Sequence, residues 1–181
     1  MTIKNKFLEN ISDAPGEGLK KILGKEDSPF ISFEFLDALE KSMCVGSLSG
    51  WQPKHLSVFN ENKLSGFMPL YLKDNSQGEF VFDHQWSYAL NRAGRNYYPK
   101  LISAIPFTPC ETKKFICEGI VDEKHFIKHV IKFNNNQAII LINLAAAANS
   151  PTTTTNTIMR WPSQRCAASS KISSSSSSSF L

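Results

Sequence analysis

The run Gly78-Glu79-Phe80-Val81-Phe82-Asp83-His84-Gln85-Trp86 joins an apolar triplet to two titratable residues and then to a helix-forming stretch. Phe80-Val81-Phe82 is apolar at every position, as expected of a strand buried on both faces. The residues from Gln85 to Ala93 predict a helix, and Gly94 suits its C-terminal cap. A buried strand that feeds a helix is the unit of α/β and mixed α+β folds. Asp83 and His84 then stand at the mouth of a sheet, where open α/β sheets commonly bind ligands. From that position Asp83 has two readings that can coexist. It is the N-cap of the helix, or it is a carboxylate that orients His84 or a substrate amine. Trp86 reads as core or pocket wall.

Outward from this centre, strands and helices alternate. Residues 7–11 predict a short strand and residues 18–23 a short helix. Ser32 is an N-cap for a helix through residue 43, because Phe35, Leu36 and Leu39 recur at helical spacing. Residues 55–59 and 64–72 read as a hairpin around Asn60-Glu61-Asn62, with Pro69 calling for an edge position or a bulge in the second strand. Residues 101–105 form another strand, closed by Pro106 and Pro109. Asp122 caps a last helix through Phe133, with Phe126, Ile127, Val130 and Ile131 as its buried stripe. The expected class is α/β (α+β), a mixed sheet flanked by helices.

Two further segments carry candidate chemistry. In Arg92-Ala93-Gly94-Arg95-Asn96-Tyr97-Tyr98-Pro99-Lys100, Arg92, Arg95 and Lys100 suit a cationic rim for a phosphate or carboxylate. Pro99 biases Tyr98 toward an extended conformation, so one tyrosine is expected buried and one freer. A tyrosine hydroxyl can protonate a leaving thiolate. The plainer reading is a solvated helix end before a strand. In Ala104-Ile105-Pro106-Phe107-Thr108-Pro109, two prolines stiffen a loop that either lines a binding cleft through Phe107 and Thr108 or simply ends a strand. His125 and His129 are spaced i, i+4 but lack the glutamate of the zinc-protease motif, so they read as a solvated helix face and no metal site is expected. Phosphate-binding, dinucleotide-binding and serine-hydrolase glycine motifs do not occur.

Composition bounds the rest. The chain has 181 residues, 41% apolar and 20% charged, which excludes collagen-like, coiled-coil and wholly disordered classes. No apolar stretch reaches the ~18–20 residues of a membrane helix, and no secretory signal opens the chain, so a cytoplasmic location is expected. All acidic residues precede residue 124, and beyond residue 137 only Arg160, Arg165 and Lys171 are charged. The formal charge of +4 therefore reflects the C-terminal stretch, not a basic face, and no nucleic-acid partner is expected. Cys44, Cys110, Cys117 and Cys166 lack metal or redox spacing. Residues 138–181 are rich in Ser, Thr and Ala, including the run Ser173–Ser179, and read as a disordered tail. Within it, residues 138–144 favour an edge strand.

Six ordered blocks now make a pattern. Pro29-Phe30 with Phe35-Leu36-Asp37-Ala38-Leu39-Glu40 and Gly50-Trp51-Gln52-Pro53-Lys54-His55-Leu56 come first, then Pro69-Leu70-Tyr71-Leu72-Lys73. Gly78-Glu79-Phe80-Val81-Phe82-Asp83, Tyr97-Tyr98-Pro99-Lys100-Leu101 and Pro106-Phe107-Thr108-Pro109 follow. Together they resemble the FemAB-like, GNAT-related acyltransferases of peptidoglycan biosynthesis or recognition. The resemblance covers residues 1–137 and implies a GNAT-like unit, incomplete here. Members are longer and the resemblance stops near residue 138, so the Ser-, Thr- and Ala-rich composition of residues 138–181 has a second reading beside the flexible tail: a stretch translated out of frame, or read through a junction, in place of a second unit. The resemblance implies acyl transfer from acyl-CoA or another donor, as co-substrate rather than bound cofactor, to a small-molecule or peptide amine. Asp83 or His84 would then stand near the acceptor amine and Tyr97 or Tyr98 near the leaving group. Trp86, Arg92, Arg95, Lys100, Phe107 and Thr108 would contact substrate. Cys110-Glu111-Thr112-Lys113-Lys114 departs from the pattern, and the usual glycine-rich coenzyme A loop is missing. The alternatives are a non-catalytic truncated remnant and a cell-wall peptide-binding module.

Overall fold

The structure is a computed structural model that describes residues 2–24, 28–80, 83–110, 112–118, 121, 123–133, 138–142 and 157–160. Among these residues the strands divide between two sheets. The first contains β1 (Ile3–Leu8), β3 (His55–Asn60), β4 (Lys63–Met68) and β7 (Ile116–Cys117), in the order β1-β3-β4-β7 and antiparallel throughout. The second contains β2 (Trp51–Pro53), β5 (Tyr71–Lys73), β6 (Lys100–Ser103), β8 (Ala138–Ile142) and β9 (Thr157–Arg160), in the order β2-β5-β6-β8-β9. Only its β6–β8 pair is parallel. Four helices complete the described chain: α1 (Gly16–Leu23), α2 (Phe33–Lys41), α3 (His84–Arg92) and α4 (Glu123–Phe133). The mixed α/β class is therefore as expected. The connection from β6 to β8 carries α4, the kind of crossover that a parallel pair requires.

Local chemistry accounts for most element boundaries. Ser32 caps α2 as anticipated, its hydroxyl accepting from the Phe35 amide at 3.2 Å. The β3–β4 hairpin turns at Glu61 and Asn62, whose φ values of 49° and 70° are those of the primed turn that matches strand twist. Ser65 is the unpaired residue of a bulge, because Val58 pairs with Gly66 while Phe59 pairs with Leu64. The single strand expected over residues 64–72 is two strands in two sheets. Pro69 has no amide hydrogen to donate, and the chain crosses between the sheets there. Its carbonyl accepts from the Ser103 hydroxyl at 2.8 Å, while the Leu70 amide donates to His55 Nδ1 at 3.2 Å.

Other expectations need correction. The first strand is Ile3–Leu8, and Ile11 belongs to a short 3-10 turn. Phe80 is 57% exposed with φ 58°, so it does not begin a buried central strand. Gly78 (φ 74°) and Phe80 both leave the extended region, which prevents pleating there. Val81, Phe82 and Asp122 lie outside the described residues. Residues 138–142 do form a strand, but β8 has β6 on one side and β9 on the other, so it is not an edge. Both strands lie beyond residue 137.

Three hydrophobic clusters fill the layers. Leu19, Ile22 and Leu23 of α1 and Leu36 of α2 join Leu64, Phe67 and Ile116 of the first sheet. Val45, Trp51, Tyr71 and Ile102 join Leu90 of α3 and Tyr97. Phe126 and Val130 of α4 join Leu56, Val58 and Met68 of the first sheet and Leu101 of the second. Helix α4 thus covers parts of both sheets. Gly66 makes that close approach feasible, since a Cβ there would lie 2.6 Å from the Phe126 ring.

Candidate functional site

The second sheet's register assembles the site. Trp51 pairs with Lys73, and Lys73 pairs with Lys100. Residues directly opposite in a sheet share a face, so three neighbouring strands bring one indole and two ammonium groups together at one end. Lys73 and Lys100 are completely buried. Two buried cations side by side would be untenable alone. The segment between β5 and α3 supplies the compensation by placing Glu79 and Asp83 over them.

Lys100 is the hub. Its ammonium donates to Glu79 Oε2 and to Ser76 Oγ, both at 2.7 Å, and to Asp83 Oδ2. Lys73 donates to the Gln77 carbonyl at 2.8 Å, lies 3.9 Å from the Trp51 ring centroid, and is 3.8 Å from Glu79 Oε1. The Trp51 indole N–H donates to the same Gln77 carbonyl at 3.2 Å. Asp83 Oδ2 also accepts from Tyr97 OH at 2.6 Å and from Ser76 Oγ at 2.8 Å. Because Ser76 spends its only hydrogen on Asp83, the 2.5 Å contact between Tyr98 OH and Ser76 Oγ has Tyr98 as donor. Two carboxylate oxygens, Glu79 Oε1 and Asp83 Oδ1, are buried and receive no hydrogen bond.

This environment separates the two carboxyl groups. Burial pushes Glu79 above its usual value, and its contacts with Lys100 do not fully offset that. Burial acts on Asp83 in the same sense, but hydrogen bonds from Lys100, Tyr97 and Ser76 outweigh it and hold Asp83 below its usual value. Burial lowers Lys73 to about 8, against the attraction of Glu79. Burial, reinforced by the bond to Asp83, raises the Tyr97 hydroxyl. The result is a cluster holding one carboxylate stabilised through a single oxygen, Asp83 Oδ2, and one, Glu79, pushed by burial toward protonation.

The candidates read from sequence distribute unevenly around it. Asp83 occupies the N-cap position of α3, but its side chain makes no capping bond and turns to the cluster instead. Tyr97 is buried and Tyr98 partly exposed, the division expected of them, and both reach the cluster. Lys100 does not join an exposed rim with Arg92 and Arg95: those two are exposed, Arg92 5.7 Å from the Tyr88 ring, while Lys100 is inside. His84 and Trp86 are exposed on α3, and His84 is not among the cluster's partners. Phe107 leans on Trp51 with ring centroids 5.6 Å apart and donates its amide to the Gly78 carbonyl at 3.2 Å. Thr108 donates to the Pro106 carbonyl of its own loop at 3.0 Å. Sequence reasoning missed Trp51, Lys73, Ser76 and Glu79. The available signal was a lysine closing the apolar strand Tyr71-Leu72-Lys73, with a carboxylate pair spaced i, i+4 at Glu79 and Asp83.

His125 and His129 stack with centroids 4.2 Å apart, bonded respectively to Asn5 Oδ1 and to the His125 carbonyl. No group of three metal-ligating side chains occurs among the described residues. No helix among them is long and apolar enough to cross a membrane.

A family model described as FemAB-like, peptidoglycan biosynthesis or recognition, matches residues 9–165. The match continues past residue 137, where the resemblance was expected to stop. No curated relative matches the chain.

Proposed function

The chain belongs to the FemAB-like family of peptidoglycan biosynthesis or recognition, and from that premise we propose that it transfers an acyl group from a thioester or ester donor to an amine. Such a reaction needs a base for the amine, donors for the carbonyl oxygen and an acid for the leaving group. The observation that carries this reading is the buried cluster of Glu79, Asp83, Lys73, Lys100, Tyr97 and Tyr98, in which two carboxyl groups of opposite tuning share one ammonium. Pairs of titratable groups pushed apart in this way are typical of acid–base sites. Tyr98, partly exposed and donating to Ser76, is the group suited to meet a leaving thiolate. Release of free thiol from acetyl-coenzyme A in the presence of an alkylamine tests the reading directly.

A second reading, recognition without turnover, is favoured by a different observation. Phe80, Trp86, Tyr88 and Phe107 are all large aromatics exposed by 45% or more, each offering a ring face suited to stacking. Saturable binding of muropeptides without thiol release would select this second reading.

A further inference from the structure

We propose that Glu79, rather than Asp83, takes the proton from the acceptor amine, and that Asp83 and Lys100 are positioning residues that hold Glu79 ready. The inference rests on the acyl-transfer reading above and deepens it by assigning the base.

Hydrogen-bond accounting is the first argument. Asp83 Oδ2 is claimed by Lys100, Tyr97 and Ser76, so the charge on that oxygen is already stabilised by three donors. Among the described residues Glu79 accepts from Lys100 alone, through Oε2. Its Oε1 is buried and accepts nothing, with the Lys73 ammonium 3.8 Å away. Buried carboxylate oxygens are ordinarily satisfied. Among the described residues Glu79 Oε1 and Asp83 Oδ1 both lack a donor, and an N–H of an incoming ammonium is the kind of donor that Glu79 Oε1 lacks. The tuning agrees, because a carboxyl raised toward neutrality is the better proton acceptor at neutral pH.

The backbone is the second argument. Glu79 lies between Gly78 and Phe80, both in the left-handed region. A Cβ on Gly78 would sit 2.5 Å from the Phe107 ring, so glycine is required there. A left-handed aromatic is costly and persists where the surroundings impose it. With this backbone Glu79 is buried at 2% exposure while the next residue, Phe80, is 57% exposed.

The step balances. An alkylammonium gives one proton to Glu79 Oε1 and becomes a neutral amine. Its lone pair attacks the acyl carbonyl carbon, a C–N bond forms, and the C–S or C–O bond breaks with its electrons leaving on sulfur or oxygen. The second amine proton goes to that leaving group, giving amide and thiol or alcohol. Glu79 then releases its proton to solvent.

The test uses the full chain with acetyl-coenzyme A or p-nitrophenyl acetate as donor and n-hexylamine as acceptor. Glu79→Gln is expected to lower kcat about 100-fold or more at pH 7 and to abolish the acidic limb of the pH profile. Glu79→Asp should retain that limb, and Asp83→Asn should slow the reaction while keeping it. With methoxyamine, already neutral at pH 7, the Glu79→Gln loss should shrink below about tenfold. An unchanged acidic limb in Glu79→Gln, or an equal loss with both amines, overturns the proposal. A binding measurement on wild-type protein is independent of turnover and of how the variants fold. Carbon-13 NMR of labelled glutamate carboxyls should show the Glu79 signal shifting as n-hexylammonium is added. A shift without amide formation defeats the acyl-transfer reading alone, whereas no shift defeats the assignment of Glu79.

Discussion

Lys73 and Lys100 face each other across adjacent antiparallel strands, both completely buried. Their proximity is tolerable because Glu79 approaches both, 2.7 Å from Lys100 and 3.8 Å from Lys73, and Asp83 pairs with Lys100 as well. Lys100 carries the greater share of the network, since the three hydrogens of its ammonium meet three acceptors. Replacing it with methionine leaves Glu79 and Asp83 as buried charges without their shared cation. Urea denaturation should show Lys100→Met destabilised by about 3–5 kcal/mol. The double variant Lys100→Met with Asp83→Asn should recover part of that loss.

Lys73 gives stability a distinctive pH dependence. Its folded-state value, lowered to about 8, is below that of the unfolded chain, near 10.4. Between those limits the unfolded state binds more protons, so stability rises as pH increases from about 8 toward 10. Expressed as linkage, the rise is at most about 3 kcal/mol. Urea midpoints measured across that range should climb in the wild type relative to Lys73→Met, whose own midpoint should drift downward because burial raises the Tyr97 hydroxyl and the Cys110 thiol.

Glu40 ties α2 to the rest of the molecule. Its carboxylate accepts from the Ile11 amide and from His55 Nε2, both at 2.8 Å, while His55 Nδ1 accepts from the Leu70 amide. Glu40→Ala leaves a backbone amide and a buried ring N–H without acceptors. A loss of about 2–4 kcal/mol is expected, with Glu40→Gln recovering only part of it, because its one carbonyl oxygen serves one of the two donors while its amide NH2 faces the other. Thermal unfolding of the pair checks this.

Gly66 sets how closely α4 lies on the first sheet. Gly66→Ala would put a methyl 2.6 Å from Phe126 Cζ and 3.2 Å from Val121 Cγ1. Overpacking of this kind should cost about 1–3 kcal/mol. Adding Phe126→Leu should restore part of the loss in chemical denaturation, since it removes the ring atom in conflict.

Phe80 holds a left-handed backbone while more than half exposed. Phe80→Gly should therefore raise stability, by about 1 kcal/mol, because glycine adopts that conformation without the steric penalty. A clear decrease in the unfolding midpoint would mean that the phenyl ring contributes packing that its exposure does not indicate.

Much of the architecture was readable from residue order because the forces involved are local. Helix α1, the Ser32 cap of α2, the Asn60-Glu61-Asn62 turn and the course of α3 depend on apolar spacing, one hydroxyl or a turn tolerant of positive φ. The Phe80-Val81-Phe82 expectation failed because apolar character alone does not register that Gly78 and Phe80 are both left-handed. The continuous strand over residues 64–72 failed because a proline marks a break without saying that the chain changes sheets there.

The candidate site divides along the same line. Residue order alone established the mixed α/β class and the blocks that resemble the FemAB-like family, and it drew attention to Asp83, Tyr97 and Tyr98. Tertiary structure decided that Lys100 belongs with Lys73, Glu79 and Ser76 inside the protein instead of with Arg92 and Arg95 outside, and that Asp83 serves the cluster instead of the helix end. The reason is electrostatic. Whether a charge is solvated or buried depends on which distant segments close over it, and Lys73 and Lys100 become neighbours only when β5 and β6 pair. No pattern within either strand carries that information.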